Sequence, residues 1–134
     1  MGDRAVITTR RDFENNGIGV YLHWNGTINE VSAFLKYCAM RGFRSVDLDS
    51  SYAYARLIQV IANTIGGGLS VGVGLLRNLD CDNYDNGTYI IEGWEIVDRM
   101  YSHEEDAVDE NVVEDLLKII DKAQPEDDRI FKEE

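Results

Sequence analysis

Ile18-Gly19-Val20-Tyr21-Leu22-His23-Trp24-Asn25-Gly26-Thr27-Ile28-Asn29-Glu30-Val31 changes its hydrophobic period halfway along, and that change decides the fold class. From Ile18 to Trp24 the side chains alternate: Val20, Leu22 and Trp24 share one face, Tyr21 and His23 the other. A period of two is that of a half-buried strand. Asn25-Gly26 supplies a turn, because both residues tolerate positive φ. Thr27, with Glu30 three positions on, matches a capping box that satisfies the free amides of a helix start. From Ile28 to Arg41 the apolar positions Ile28, Val31, Phe34, Leu35, Cys38 and Ala39 recur at intervals of three and four. That spacing predicts an amphipathic helix. Gly42 suits a left-handed stop, and Phe43 the apolar contact that seals such an end,.

The flanking segments continue the alternation of strand and helix. Ala5 to Thr9 is β-branched and predicts a first strand, paired as a hairpin with Ile18–Trp24 across the Asp12–Gly17 turn,. Asp47 to Ser51 offers caps for a second helix, about Tyr52 to Ile65, which Gly66-Gly67-Gly68 ends,. Leu69 to Val73 predicts a strand whose second face holds Ser70, Gly72 and Gly74. So bare a face usually marks close approach of another backbone or a ligand. A polar loop, Leu79 to Gly87, leads to strands Thr88–Ile91 and Trp94–Tyr101, joined at Glu92-Gly93. An acidic linker, His103 to Asp109, precedes a third helix marked by Val112, Val113, Leu116, Leu117, Ile120 and Ala123 and ended before Pro125,. The order β-β-α-α-β-β-β-α predicts one α+β domain over residues 1–125, a mostly antiparallel sheet with helices packed on it. Residues 126–134 form a charged C-terminal tail expected to fray,. The expected core is Val6, Val20, Leu22, Val31, Phe34, Leu35, Leu57, Ile58, Ile61, Val71, Val73, Ile91, Ile96, Leu116 and Ile120.

Composition narrows the functional classes. No apolar run approaches the roughly 18 residues of a membrane helix, and the N-terminus lacks the pattern of an export signal,. A cytoplasmic protein is the expectation, with Cys38 and Cys81 as free thiols,. The net charge of −12 is uneven: residues 1–77 hold eight Lys and Arg against six Asp and Glu, residues 78–134 five against nineteen. One end is therefore near +2 and the other −14. Such polarity predicts a long-range field with a negative end, which repels nucleic acid. The same acid also suits a solvated surface helix with no partner at all.

Few residues fit a chemical site. The Gly66–Gly74 segment follows a helix and enters a strand, the reverse of a phosphate loop, and lacks Gly-Lys-Ser/Thr,. Asp80-Cys81-Asp82-Asn83-Tyr84-Asp85-Asn86-Gly87 resembles a calcium loop, but Tyr84 and Asp85 break the register and Ile91 replaces the closing Glu,. An Asx-rich turn explains it, and no metal site or cofactor is expected. Cys38 with His23 is the one nucleophile–base pairing on offer, and Cys38 lies on an apolar stripe,. Two candidate surfaces remain. Glu104, Glu105, Asp106, Asp109, Glu110, Glu114, Asp115 and Asp121 form an acidic face spaced to engage Lys and Arg of a protein partner,. Tyr21, His23, Trp24, Gly72 and Gly74 form a candidate ligand site.

Met1-Gly2-Asp3-Arg4-Ala5-Val6-Ile7, Gly19-Val20-Tyr21-Leu22-His23-Trp24-Asn25-Gly26 and Asp82-Asn83-Tyr84-Asp85-Asn86-Gly87-Thr88-Tyr89 together resemble a family of small uncharacterised proteins found in bacteria and in their phages, prophages and plasmids. That resemblance implies a setting of conflict between element and host, where small acidic inhibitors of nucleases and CRISPR effectors occur. It carries over no catalytic residues. The resulting expectation is a non-enzymatic acidic protein that blocks a basic, nucleic-acid-handling surface. The alternatives are a small-molecule or nucleotide-signal binder and an enzyme using Cys38 or His23. Direct nucleic-acid or membrane binding is not expected, and a homo-oligomer is compatible with the sequence.

Overall fold

A computed structural model describes residues 3–66, 71–102 and 107–131. The elements are β1 (Ala5–Thr9), α1 (Arg10–Glu14), β2 (Ile18–Leu22), α2 (Ile28–Met40), α3 (Ser50–Ile65), β3 (Val71–Leu75), β4 (Thr88–Glu92), β5 (Glu95–Met100) and α4 (Glu110–Ala123). Single 3₁₀ turns follow β3 (Leu76–Asn78) and α4 (Glu126–Asp128). The fold is α+β, as the sequence predicts. The five strands form one sheet in the order β3-β2-β1-β4-β5. Its pairs are antiparallel except β1 with β4, which run parallel with Val6 opposite Thr88 and Ile7 opposite Tyr89.

Strand β1 is central, and its composition shows it: Ala5, Val6, Ile7 and Thr8 are all buried, so both faces are covered,. On one face Ala5, Ile7, Val20, Leu22, Val71, Tyr89 and Ile91 meet α2, α3 and α4 in the main core. On the other lie Val6, Thr8, Gly19, Thr88 and Ile90, the partners in register across β2, β1 and β4,. The chain's own loop after β3 covers part of this second face. A Cβ on Gly19 would run into Leu76, and Thr88 Oγ1 donates to the Cys81 carbonyl at 3.0 Å.

The ends of α2 follow the local chemistry read from sequence. Thr27 Oγ1 accepts from the Glu30 amide and donates to Glu30 Oε1 at 2.8 Å, while Asn25 donates to Glu30 Oε2 at 2.6 Å. At the other end Gly42 has φ +76. The Phe43 amide reaches the Cys38 carbonyl at 3.2 Å and the Gly42 amide that of Ala39 at 3.0 Å. These two bonds make a Schellman motif.

Some expectations change. β1 and β2 are antiparallel neighbours, but α1 joins them in place of a tight hairpin turn. Thr9 caps α1 by accepting from the Asp12 amide at 3.1 Å. Five residues are too few for apolar periodicity to announce a helix. β2 stops at Leu22, so Trp24 is exposed instead of sharing the core face of Val20 and Leu22. Val73, expected in the core, is 52% exposed because β3 is an edge strand. Ile58, Ile96 and Leu116 are partly buried against the core; the remaining expected core residues are buried. The strand start expected at Leu69 and Ser70 lies outside the described residues.

Candidate functional site

The acidic surface is built on α4. Asp109 caps it, its side chain accepting from the Asn111 and Val112 amides at 3.0 and 3.4 Å. The Asp109 amide donates to Asn29 Oδ1 at 2.8 Å, which ties the helix start to α2. Val113, Leu117 and Ile120 are buried at helical spacing against α2 and α3. Packing of that stripe leaves Asp109, Glu110, Glu114 and Asp115 exposed. Lys36 of α2 stands 3.8 Å from both Glu110 and Glu114. Both carboxylates remain largely in water there, so this charge sharing is weak,. Glu126, Asp127 and Asp128 continue the exposed acid past the helix, with Asp128 3.6 Å from Arg41.

Asp121 does not belong to this surface. It is 1% exposed. The Tyr37 hydroxyl donates to it at 2.6 Å, and the Ile130 and Phe131 amides donate at 2.7 and 2.9 Å. Burial opposes its charge, but these three donors outweigh burial and hold its pKa below the ordinary carboxylate value,. The same contact raises Tyr37 to about 12, through burial first and the neighbouring carboxylate second. Asp121 is thus the anchor for the C-terminal segment. Arg129 adds a bond to the Gln124 carbonyl at 3.0 Å, so the segment expected to fray is fastened as far as Phe131. Sequence spacing placed Asp121 beside exposed carboxylates, and nothing local revealed that Tyr37, 84 residues away, would meet it. Glu104, Glu105 and Asp106 lie outside the described residues.

The candidate ligand residues come together only in part. Tyr21 and His23 line a cleft of about 400 Å³ with Arg4, Asn78, Leu79, Asp80 and Asn83. Trp24 does not line it, and stacks edge-on to His23 at a centroid distance of 5.5 Å. Gly72 and Gly74 do not line it either. A Cβ on Gly72 would strike the Tyr21 ring, and one on Gly74 would press on Leu79. The space beside Gly72 and Gly74 is therefore taken by this chain's own side chains.

Arg4 organises the floor of the cleft, a role its sequence context did not announce. Its Nε donates to Asp85 at 2.9 Å, its Nη2 to the Asn83 carbonyl at 2.6 Å and its Nη1 to Asp80 at 3.3 Å. The Arg4 guanidinium and amide hold Asp85 below its usual carboxylate value. Buried Asn83 closes the turn, accepting from the Asp85 and Gly87 amides and donating to the Asp80 and Gly87 carbonyls. The calcium-like loop is thus folded around an arginine. Among the described residues no three His, Cys, Asp or Glu side chains converge as metal ligands.

Cys38 is wholly buried on α2, and burial pushes its thiol to about 12 against the opposing pull of Arg41. Burial of this kind disfavours the thiolate and makes Cys38 a poor nucleophile,. No helix among the described residues is long and apolar enough to cross a membrane. No known protein family, curated protein or solved structure matches this chain.

Proposed function

We propose that this chain is a non-enzymatic binding protein that presents its acidic face to a basic surface on another macromolecule. The observation that carries this reading is α4. A helix fastened to the core by Val113, Leu117 and Ile120 holds Asp109, Glu110, Glu114 and Asp115 in water. The exposed acid of residues 126–128 extends the same field. A negative surface of this kind steers encounter with rows of Lys and Arg, and the association weakens as salt rises. The partner class is a protein whose basic groove handles nucleic acid, because such a groove already carries the matching charge. In the mobile-element setting that the sequence resemblance implies, occupying the groove would make the chain an inhibitor of the host-defence or restriction type.

Affinity capture from bacterial lysate tests this. A nuclease or other nucleic-acid-binding protein is expected on the wild-type bait at low salt. It should be lost at high salt and lost on the triple variant Glu110→Lys, Glu114→Lys, Asp115→Lys. Retention of no such protein at low salt, or equal capture by the variant, would sink the reading.

A second reading, a small-molecule or nucleotide-signal binder, draws on the convergence of Tyr21 and His23 in the Arg4 cleft. A nucleotide at 100 times its dissociation constant stabilises by about 2.7 kcal/mol, so unmoved melting curves across a nucleotide screen would eliminate it.

A further inference from the structure

The two edges of the sheet are not alike. β5, at one edge, carries Glu95, Asp98 and Arg99, and its pairing with β4 is irregular at Ile90/Ile91. Charges and bulges are how proteins blunt an open edge against further strands. β3, at the other edge, has the sequence Val71-Gly72-Val73-Gly74-Leu75, with no charge, no proline and no break in its register with β2. Among the described residues no strand lies on its outer side.

The backbone groups on that outer side can be assigned. The Leu76 amide donates to the Gly17 carbonyl at 2.8 Å, one step beyond the Ile18–Leu75 pair. Hydrogen-bonded and non-hydrogen-bonded pairs alternate in an antiparallel ladder. Gly74 and Gly72 therefore bond inward to β2, and the amides and carbonyls of Val71, Val73 and Leu75 point outward. The side chains of these same three residues share one face of the sheet. Val73 is 52% and Leu75 37% exposed there.

We infer that β3 pairs with β3 of a second copy of this chain, antiparallel about a two-fold axis at Val73, to make a continuous ten-stranded sheet. The strand is a near-palindrome about Val73. The two-fold sets Val73 against Val73, Val71 against Leu75 and Gly72 against Gly74. Every outward backbone group then meets its complement, and apolar side chains meet only apolar ones. This self-matching is what an isologous interface demands. Local charge does not oppose it. β3 belongs to the portion of the chain near +2, whereas the −14 portion begins beyond it. The strand itself brings no charge to the interface.

Sedimentation velocity at about 100 µM protein, well above a micromolar dissociation constant, reads this directly. Wild-type protein should sediment at twice the monomer mass. Val73→Lys and Val73→Glu, each placing like charges at the two-fold, should be monomers with unchanged circular dichroism, since the site is half exposed. Mixed in equal amounts, the two should regain the dimer through the opposite-charge pair. Salt should favour the wild-type dimer by screening two chains of −12,, the opposite of its expected effect on capture of a basic partner. A wild-type monomer at this concentration overturns the inference. So does a dimer that either single variant preserves, or a mixture that stays monomeric.

Discussion

Asp121 takes three hydrogen bonds, from Tyr37, Ile130 and Phe131, while 1% exposed. Its Oδ1 receives Tyr37 and Ile130, and its Oδ2 receives the Phe131 amide. Asp121→Asn turns one of those acceptors into a donor facing a donor. Loss of about 1–3 kcal/mol is expected, the cost of stranding a buried polar group, measured by urea unfolding. The carboxylates of Asp85, Asp98 and Asp121 are all held below the ordinary value, chiefly by donors that the fold brings to them. For Asp98 the Arg10 side chain leads, at 2.8 Å, followed by the Arg99 amide. A depressed folded pKa gives stability that is present above the unfolded value, about 3.9 for Asp. That stability disappears as pH falls through the folded values. Melting temperature should therefore fall below about pH 4, with the exposed Asp98 pair contributing least,. A flat profile down to pH 2 would contradict the three assignments. Apart from the adjacent Arg99 amide, none of this was legible locally, because the leading donors, Arg4, Arg10 and Tyr37, arrive through the fold.

At the scale of elements, the turn between β2 and α2 is more tightly built than an ordinary Asn-Gly turn. Asn25 has φ +65. Gly26 donates to the Asp3 carbonyl at 2.9 Å and accepts from the Tyr89 hydroxyl at 2.7 Å. A Cβ on Gly26 would collide with the Asp3 carbonyl and the Ala5 side chain. Here the obstacle is backbone, which cannot swing aside as the Tyr21 ring can for Gly72. Gly26→Ala should cost about 1–3 kcal/mol, the range for overpacking, by chemical denaturation, and Gly72→Ala clearly less. A neutral Gly26→Ala would show that the turn has slack. The turn was readable as a turn, from Asn and Gly alone. Its service as a clasp between β1, β4 and α2 was not, since Asp3 and Tyr89 are distant in sequence. The caps of α2 lie at the other extreme. Thr27, Glu30, Gly42 and Phe43 are neighbours in the chain, so their bonds could be read before any fold was known.

For the whole molecule, a net charge of −12 on a single small domain stores self-repulsion at neutral pH,. Raising salt from about 20 to 300 mM shortens the screening length several-fold and should raise the melting temperature at pH 7. A fall would mean that ion pairs such as Arg4–Asp85 and Arg10–Asp98 outweigh the repulsion. Sequence by itself determined the α+β class, the order of the long elements, the caps of α2 and the concentration of acid beyond residue 77. Periodicity, turn chemistry and charge are local or additive, so a single chain displays them. Tertiary structure alone decided the rest. It made β3 an uncharged edge instead of a covered strand, set Tyr21 and Leu79 in the space beside Gly72 and Gly74, and wrapped the loop carboxylates around Arg4. It also took Asp121 out of the acidic face and made it an anchor. Each of these outcomes depends on which distant residue arrives opposite, and chain spacing carries no record of that until the sheet order is set.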